Sequence, residues 1–368
     1  MLFTPSARFL KLAALLSGVF VLTTSVQADE DESADDSLNS KVRQLIDTIG
    51  FAQYSWQIDS IFARMPAEDK QTAEDVYKTV ICPHDDYAYA AGLYNKTLSG
   101  IKAKTVILIG VAHKARNFGL ENKLVFDSFD AWRCVYGNIG ISPLRDELIR
   151  MLPENSYVVH DSMMQLEHSL EAVTPFLQKN NHSVEILPIL VPYMTFENML
   201  EFSGKLAEQV QRLMQKAHLS FGKDVAIVIS NDAVHYGDVD WGGSDLAPFG
   251  TDSVGTEKAM QKDRDIIDQC LKGEGSAARI RAFYNYTVKT EDFRAYNWVW
   301  CGRYSVPFGL LFANELNKLF NGSSLNGELI EYRNSLRNSH IDVMDLGMGV
   351  TAPANQRHWV AYVGMGYD

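Results

Sequence analysis

Four short runs of apolar residues, rich in β-branched side chains, recur along the chain, and polar residues follow each of them. The runs cover residues 77–82, 105–109, 184–191 and 225–229. Runs of this length are typical of strands that are buried on both faces of a parallel sheet. Pro188 interrupts the third run, which indicates a sheet edge or a β-bulge at that point.

Segments with a helical pattern alternate with these runs. They cover residues 41–62, 144–151, 169–178 and 199–217. Residues 358–362 form a last predicted strand, and the glycine-rich residues 242–255 form the longest predicted loop, either a plain surface loop or a mobile lid over a site. The alternation predicts one α/β domain over residues 41–368, with a largely parallel central sheet flanked by helices.

The N-terminal residues carry the features of a secretory signal peptide. Arg8 and Lys11 precede an apolar stretch of 11 residues, and a Val-x-Ala sequence ends at Ala28. The apolar stretch is shorter than the roughly 20 residues that a membrane span needs. We therefore expect a signal peptide at residues 1–28, no stable membrane anchor after its cleavage, and an exported protein, periplasmic or secreted.

Composition and charge narrow the class of protein. Of the 368 residues, 46% are apolar and 22% are charged, as in an ordinary globular protein. The net charge of −12 argues against binding to nucleic acid, which needs a basic surface. Six acidic residues fall within residues 29–36, so residues 29–40 are predicted to be a disordered acidic leader.

Histidines follow three of the four apolar runs. His84, His113 and His235 each lie within six residues of a run, the last of them with Asp232 nearby. Ligands of α/β sheets bind beyond the carboxyl ends of the strands, so residues that are distant in sequence converge there. One such histidine is more often a surface or core residue. Three at strand ends favour a metal site, because neutral imidazole binds iron, copper and zinc.

Two further short motifs contain reactive side chains, and the residues alone allow two roles for each motif. Cys301, followed by Gly302 and Arg303, is either a buried small hydrophobe or, with its pKa lowered by Arg303, a reactive or metal-binding thiol. Glu167 and His168 form either a carboxylate–imidazole pair that orients a ligand or an exposed helix start. The chain has four cysteines, which allow disulfides in an oxidising compartment, although a chain of this length folds without them.

Five motifs, in this order, resemble the Memo family. They are residues 83–87 with Tyr89 and Gly92, residues 110–113, residues 167–171, residues 230–235 and residues 301–303. Microbial members of this family include protein B of the AmmeMemoRadiSam system, and the family shares its fold with the class III extradiol ring-cleaving dioxygenases. The resemblance therefore implies a class III extradiol dioxygenase-like α/β fold.

The resemblance also implies a metal site and the residues around it. The implied metal ligands are His84, His113 and Cys301. The implied pocket residues are His235, in the position of an acid/base histidine, Asp232 beside it, and His168 in the polar wall.

Two carboxylates, Asp85 and Asp86, stand where the family commonly has Ala-Gly. Carboxylates beside a metal would raise its affinity for hard cations or alter the number of ligands.

The implied ligand set of two imidazoles and one thiolate suits iron or copper, and zinc fits it on ligand count. We expect an exported Memo-like metal-binding protein that is a mononuclear iron- or copper-dependent oxidoreductase. The alternatives are a non-enzymatic protein that binds a metal or a peptide on the same scaffold, and a zinc hydrolase. The expected partner is a small-molecule or peptide ligand in the pocket.

Overall fold

The computed structural model describes residues 40–368. The predicted signal peptide, at residues 1–28, and all but the last residue of the predicted leader, at residues 29–40, lie outside the described residues. Both therefore stay predictions. None of the helices within residues 40–368 is both long enough and apolar enough to cross a membrane.

The described residues contain thirteen strands in one mixed sheet. In chain order they are β1 (Val42–Arg43), β2 (Thr79–Cys82), β3 (Thr105–Val111), β4 (Leu124–Phe126), β5 (Ala131–Cys134), β6 (Gly137–Ile141), β7 (Tyr157–Val159), β8 (Glu185–Val191), β9 (Val225–Ser230), β10 (Asp232–Gly237), β11 (Gly273–Glu274), β12 (Asn326–Asn334) and β13 (His358–Tyr367).

Nine α-helices accompany the sheet in this part of the chain. They are α1 (Ser55–Arg64), α2 (Tyr87–Leu98), α3 (Leu144–Met151), α4 (Asp161–Leu166), α5 (Thr174–Asn180), α6 (Phe196–Lys216), α7 (Ser253–Ile266), α8 (Ala277–Thr287) and α9 (Ser305–Asn321).

Five parallel strands form the centre of the sheet, in the order β6-β8-β3-β9-β2. Antiparallel β13 follows β2, and β12 and β11 complete that edge, whereas β5 and β1 form the opposite edge. β10 pairs with β13, and β4 and β7 extend from β8. The predicted fold class, an α/β domain with a largely parallel central sheet flanked by helices, is confirmed.

Alternate side chains of the central strands pack into two cores, one on each face of the sheet. In β3, Ile107 and Ile109 belong to the core that contains α6 and α9, whereas Val106 and Leu108 belong to the core that contains α2 and α5. All four side chains are fully buried. Burial on both faces explains why these strands are continuous apolar runs in the sequence.

Most sequence-predicted elements are present: β2, β3, β8, β9 and β13 overlap the five predicted strands, and α3 has the predicted bounds. The helix predicted at residues 41–62 is wrong in its first part, because β1 occupies residues 42–43 and α1 begins only at Ser55. The buried guanidinium of Arg43 explains the difference. It donates to the carboxylate of Glu171 and to two distant backbone carbonyls, and these tertiary contacts replace a local helix.

Pro188 lies inside the sheet, although its sequence position suggests an edge or a bulge. β8 pairs with β3 along its whole length. The N–H of Glu185 donates to the carbonyl of Lys104 on the β3 side, so by alternation the nitrogen of Pro188 faces the other way. On that side of β8, β6 pairs only as far as Ile186 and β4 pairs only at Leu190. Pro188 lies between these two positions, where no neighbouring strand needs a backbone N–H from β8.

Candidate metal centre

The carboxyl ends of neighbouring strands carry two of the predicted ligands. β9 lies between β3 and β2, and Cys82 of β2 pairs with Ser230 of β9. His84 follows β2 by two residues, and His113 follows β3 by two residues. The parallel sheet therefore brings both imidazoles to the same end of the strands, on either side of the end of β9.

Cys301 reaches the same place from the loop that precedes α9. Its backbone N–H donates to the carbonyl oxygen of Asp232 at 3.1 Å, and Trp300 forms a β-bridge with β10. The N–H of Gly302 donates to Oδ1 of Asn231 at 3.0 Å. A β-carbon on Gly302 would lie 2.3 Å from that oxygen, so this close approach requires glycine.

The three predicted metal ligands lie together. One ligand atom from each of His84, His113 and Cys301 lies within 4.8 Å of the other two. Metal–ligand bonds of about 2.0–2.3 Å can bridge such separations after small side-chain rotations. Two further groups of ligand atoms overlap with this one: Asp232, His235 and Cys301, and His113, Glu167 and His168.

Ser230 determines the tautomer of His84. The Ser230 hydroxyl donates to the carbonyl oxygen of Ser169 at 2.8 Å, so its oxygen accepts from Nδ1–H of His84 at 2.7 Å. The lone pair of His84 is then on Nε2, which is buried, has no hydrogen-bond partner among residues 40–368, and lies 3.2 Å from Oδ2 of Asp232. Burial also lowers the pKa of His84 well below its usual value. A neutral ring with an unsatisfied buried acceptor fits a metal ligand.

Glu167 orients His113. Oε1 of Glu167 accepts from Nδ1–H of His113 at 2.8 Å, and Oε2 accepts from the backbone N–H of His113 at 2.7 Å. Burial alone would raise the pKa of Glu167, but the interaction with His113 lowers it to about 2. The ionised carboxylate fixes the proton of His113 on Nδ1 and leaves Nε2 as the candidate ligand atom. Glu167 is thus a buried orienting group and not part of an exposed helix start.

Cys301 lies against His235, with Sγ 3.2 Å from Nε2. Burial and the nearby Asp232 raise the pKa of the Cys301 thiol well above its usual value, whereas burial lowers the pKa of His235 to about 3. The metal-free thiol is therefore protonated and donates to a neutral ring. The sequence-based possibility that Arg303 lowers this pKa is not met: the guanidinium stacks on Tyr296, and burial and the nearby carboxylates raise the pKa of the thiol. All four cysteines lie within the described residues, and all are free thiols.

An open cleft of about 330 Å³ leads to the candidate ligands. His235, Asp232 and His168, which the resemblance implies as pocket residues, all line it. His168 stacks on His113, with ring centroids 4.6 Å apart. Burial and the neighbouring His113 lower the pKa of His168 to about 4. Oδ1 of Asp232 accepts from the backbone N–H of His84 at 2.9 Å, so this carboxyl also holds the ligand-bearing turn.

Ten further residues line the cleft: Asp85 and Asp86, and eight others whose part in the wall the sequence does not indicate. The eight are Asp47, Phe51, Asp240, Trp241, Thr351, Ala352, His358 and Val360. Trp241 stacks on His358 with ring centroids 3.8 Å apart, so the loop that follows β10 borders the cleft. His358, at the start of the last predicted strand, is the one sequence signal that could have indicated this part of the cleft wall.

Asp85 and Asp86 have partners outside the ligand groups. Oδ2 of Asp85 accepts from the hydroxyl of Tyr362 at 2.7 Å. The carboxylate of Asp86 accepts from the backbone N–H and the hydroxyl of Thr351. Neither carboxylate joins a group of ligand atoms in the described part of the chain. Both instead connect the start of α2 to the C-terminal part of the fold.

A family model described as "Memo-like protein" matches residues 52–345, more than three quarters of the chain. The chain belongs to the Memo family. The resemblance carried by the five sequence motifs is thereby confirmed. His84, His113 and Cys301 all fall inside the matched residues.

Curated relatives of the chain are named as MEMO1 family proteins. The one from Aquifex aeolicus is 27% identical over 266 residues, which cover 70% of this chain and 79% of the relative. The one from Pyrococcus furiosus is 23% identical over 263 residues, which cover 69% of this chain and 79% of the relative. For the one from Archaeoglobus fulgidus, identity is 26% over 172 residues, which cover 46% of this chain and 58% of the relative.

Proposed function

We propose that this protein is an exported metalloprotein with one metal ion bound by His84, His113 and Cys301, and that it acts as an iron- or copper-dependent oxidoreductase. The observation that carries the proposal is the convergence of two oriented imidazoles and a buried thiol beside an open cleft. In both imidazoles Nδ1 is occupied by a protein acceptor, so Nε2 is the atom available to a metal.

The donor set favours a soft first-row metal. Thiolate and imidazole suit iron, copper and zinc, whereas magnesium and calcium prefer oxygen ligands. Iron or copper, when bound, would supply a one-electron redox couple next to the cleft. The cleft volume of about 330 Å³ is within the range of small-molecule sites, which supports a small organic or peptide ligand.

His235 is the residue that handles protons in this proposal. Its Nε2 lies 3.2 Å from Sγ of Cys301, so the ring is placed to pass to the solvent of the cleft the proton that the thiol must lose when it binds a metal. The ring also borders the cleft beside Trp241, with ring centroids 5.2 Å apart, so it is within reach of a ligand there. His168 and Asp232 provide the polar wall on the other sides.

Export is a separate part of the proposal, supported by Arg8, Lys11, the apolar stretch and the Val-x-Ala sequence. The expected mature N-terminus is Asp29. Mass spectrometry of protein recovered from the periplasm or the medium tests this. An intact Met1, or a retained apolar stretch, would contradict it.

Elemental analysis of protein purified from its native compartment, without a metal-binding affinity tag, tests the metal centre. We expect stoichiometric iron or copper in the wild type and none in the His84→Ala, His113→Ala double variant. His182→Ala is the control, because His182 is exposed and lies outside the cleft. His235→Ala should keep the metal and lose turnover.

Each of the other possible outcomes of the metal analysis and the turnover assay favours a different function. Stoichiometric zinc with hydrolytic turnover would replace the proposal by a zinc hydrolase, and metal without any turnover would replace it by a binding protein. Metal that the double variant retains would contradict the proposed ligand set.

A further inference from the structure

Four arginines are buried in the described part of the chain, and one of them differs from the others. Three have a carboxylate partner: Arg43 with Glu171, Arg145 with Asp127, and Arg333 with Asp69. Arg303 is only 4% exposed and forms no ion pair with any residue in 40–368. A buried charge without a counter-charge is costly, so natural proteins rarely keep one unless a ligand completes it.

Aromatic rings surround Arg303. The guanidinium carbon lies 3.3 Å from the ring centroid of Tyr296, 4.7 Å from that of Tyr304 and 5.6 Å from that of Tyr193. One terminal nitrogen donates to the carbonyl of Arg294 at a long 3.4 Å, and Nε is buried without a partner among the described residues. Rings over the plane of a guanidinium leave the donors along its edge available for a planar acceptor.

Arg303 lines a small cavity that adjoins the metal centre. The cavity holds about 60 Å³, and the three tyrosines form part of its wall. His113 and Cys301 belong to this cavity and also to the larger cleft. A group bound against Arg303 would therefore be a neighbour of two of the proposed metal ligands. The positive end of the α9 dipole adds to the attraction for an anion, because α9 begins two residues after Arg303.

We propose that Arg303 is the recognition site for the carboxylate group of a small organic acid that binds at the metal centre. This inference rests on the proposed function for its location and names the substrate class, although carboxylate binding itself needs no metal. A carboxylate is planar and accepts two parallel hydrogen bonds from the edge of a guanidinium, which matches the donors that the stacked rings leave free. The small cavity admits this group but not a whole ligand, so the rest of the acid extends toward the cleft.

Isothermal titration of metal-free protein with benzoate tests the proposal, with benzyl alcohol as the uncharged comparison. We expect saturable binding of benzoate and much weaker binding of benzyl alcohol. Arg303→Met should weaken benzoate binding roughly 10- to 100-fold, because it removes a charged hydrogen-bond donor pair. Arg294→Gln is the matched control: Arg294 is a more exposed neighbour in an ion pair with Glu121, and its loss should change the affinity by less than about twofold.

Several results would overturn the proposal. They are an absence of saturable benzoate binding to the wild type, equal binding of benzyl alcohol, or unchanged affinity in folded Arg303→Met. Should Arg303→Met fail to fold, Arg303→Lys replaces it, since it keeps the charge and loses the planar fork. Its benzoate affinity should fall about tenfold, and unchanged affinity would contradict the proposal.

The metal-free wild type, together with elemental analysis of the native protein, separates the two proposals. Saturable benzoate binding that weakens in Arg303→Met supports the Arg303 site even if the native protein holds no metal. An absence of benzoate binding in a protein that holds stoichiometric iron or copper would overturn the Arg303 site and leave the proposed function standing.

Discussion

Nδ1 of His84 lies 2.7 Å from the hydroxyl oxygen of Ser230, at the point where two neighbouring parallel strands end. The hydroxyl in turn donates to Ser169, so its only proton is already used. The ring orientation of His84 and its tautomer are therefore fixed before any metal arrives. Glu167 has the same effect on His113.

Ser230→Ala should weaken metal binding by about 10- to 100-fold, because it removes the acceptor that holds Nδ1–H of His84. A competition titration against a chelator of known affinity measures this. Ser203→Ala is the control, since Ser203 is also buried but donates within α6, away from the cleft. Equal metal affinity in Ser230→Ala and wild type would show that the hydroxyl does not orient the ligand.

Cys301→Ser should abolish the thiolate-to-metal charge-transfer absorption of protein loaded with copper or cobalt, because serine supplies no sulfur ligand. The matched control is Cys270→Ser, which removes another buried free thiol that is not among the candidate ligands. An absorption band that survives in Cys301→Ser would exclude this thiol from the ligand set.

Gly302→Ala should destabilise the protein by about 1–3 kcal/mol and weaken metal binding, since the new methyl group would displace the amide of Asn231 and break its hydrogen bond. For Gly204→Ala we expect a change in stability of the opposite sign. Gly204 lies inside α6 with no atom within 4 Å of a built β-carbon, so alanine should stabilise by about 0.5–1 kcal/mol. Urea unfolding measures both changes. A Gly302→Ala variant with the same free energy of unfolding as the wild type would contradict the close packing of Gly302 against Asn231.

Asp263 supports Cys301 and His235 from behind the site. One carboxylate oxygen accepts from the indoles of Trp298 and Trp300 at 2.7 Å each, and the other accepts from Tyr332 and from the backbone of Val234. Asp263→Asn replaces one acceptor oxygen with an NH2 group. This group is itself a donor, and it would face two of the N–H or O–H groups that donate to Asp263 in the wild type. We expect a loss of about 2–4 kcal/mol in the free energy of unfolding.

The loss of unfolding free energy in Asp263→Asn should depend on pH. Burial raises the pKa of Asp263 to about 6, above its ordinary 3.8, although its four donors oppose this shift. The folded wild type then binds more protons than the unfolded chain between these values, so its stability falls as the pH rises through this range. The difference between wild type and variant should therefore be larger near about pH 4.5 than near about pH 7, by up to about 2 kcal/mol. Urea titrations at both pH values test this, and a difference that grows with pH would contradict the sign.

The strands and the convergence of the two candidate histidine ligands could be predicted because their signals are local, whereas Cys301 was implied as a ligand only by the family resemblance. A run such as residues 225–229 is apolar throughout because both faces of its strand are buried, and the rule for strand ends indicates where His84 and His113 converge. Ser230 carried a readable signal as well, as the first polar residue after that run.

The remaining features depend on contacts between distant segments. Residues 42–43 are a strand because Arg43 reaches Glu171, more than a hundred positions away, and no pattern near Arg43 indicates this. Trp241 faces the cleft because it stacks on His358, and both come from segments whose path is set by tertiary packing. The environment of Arg303 likewise requires tyrosines from separate parts of the chain.

The position of β13 between β2 and β12 has a consequence for how the protein is made. His84 follows β2 and is synthesised early, but the strand that pairs with β2 and supplies Val360 to the cleft is the last one along the chain. The cleft wall is therefore complete only after β13 has been synthesised, more than fifty residues after Cys301, the last of the three proposed ligands along the chain. If the chain crosses a membrane unfolded, the ions of the destination compartment, and not those of the cytosol, determine which metal the site receives.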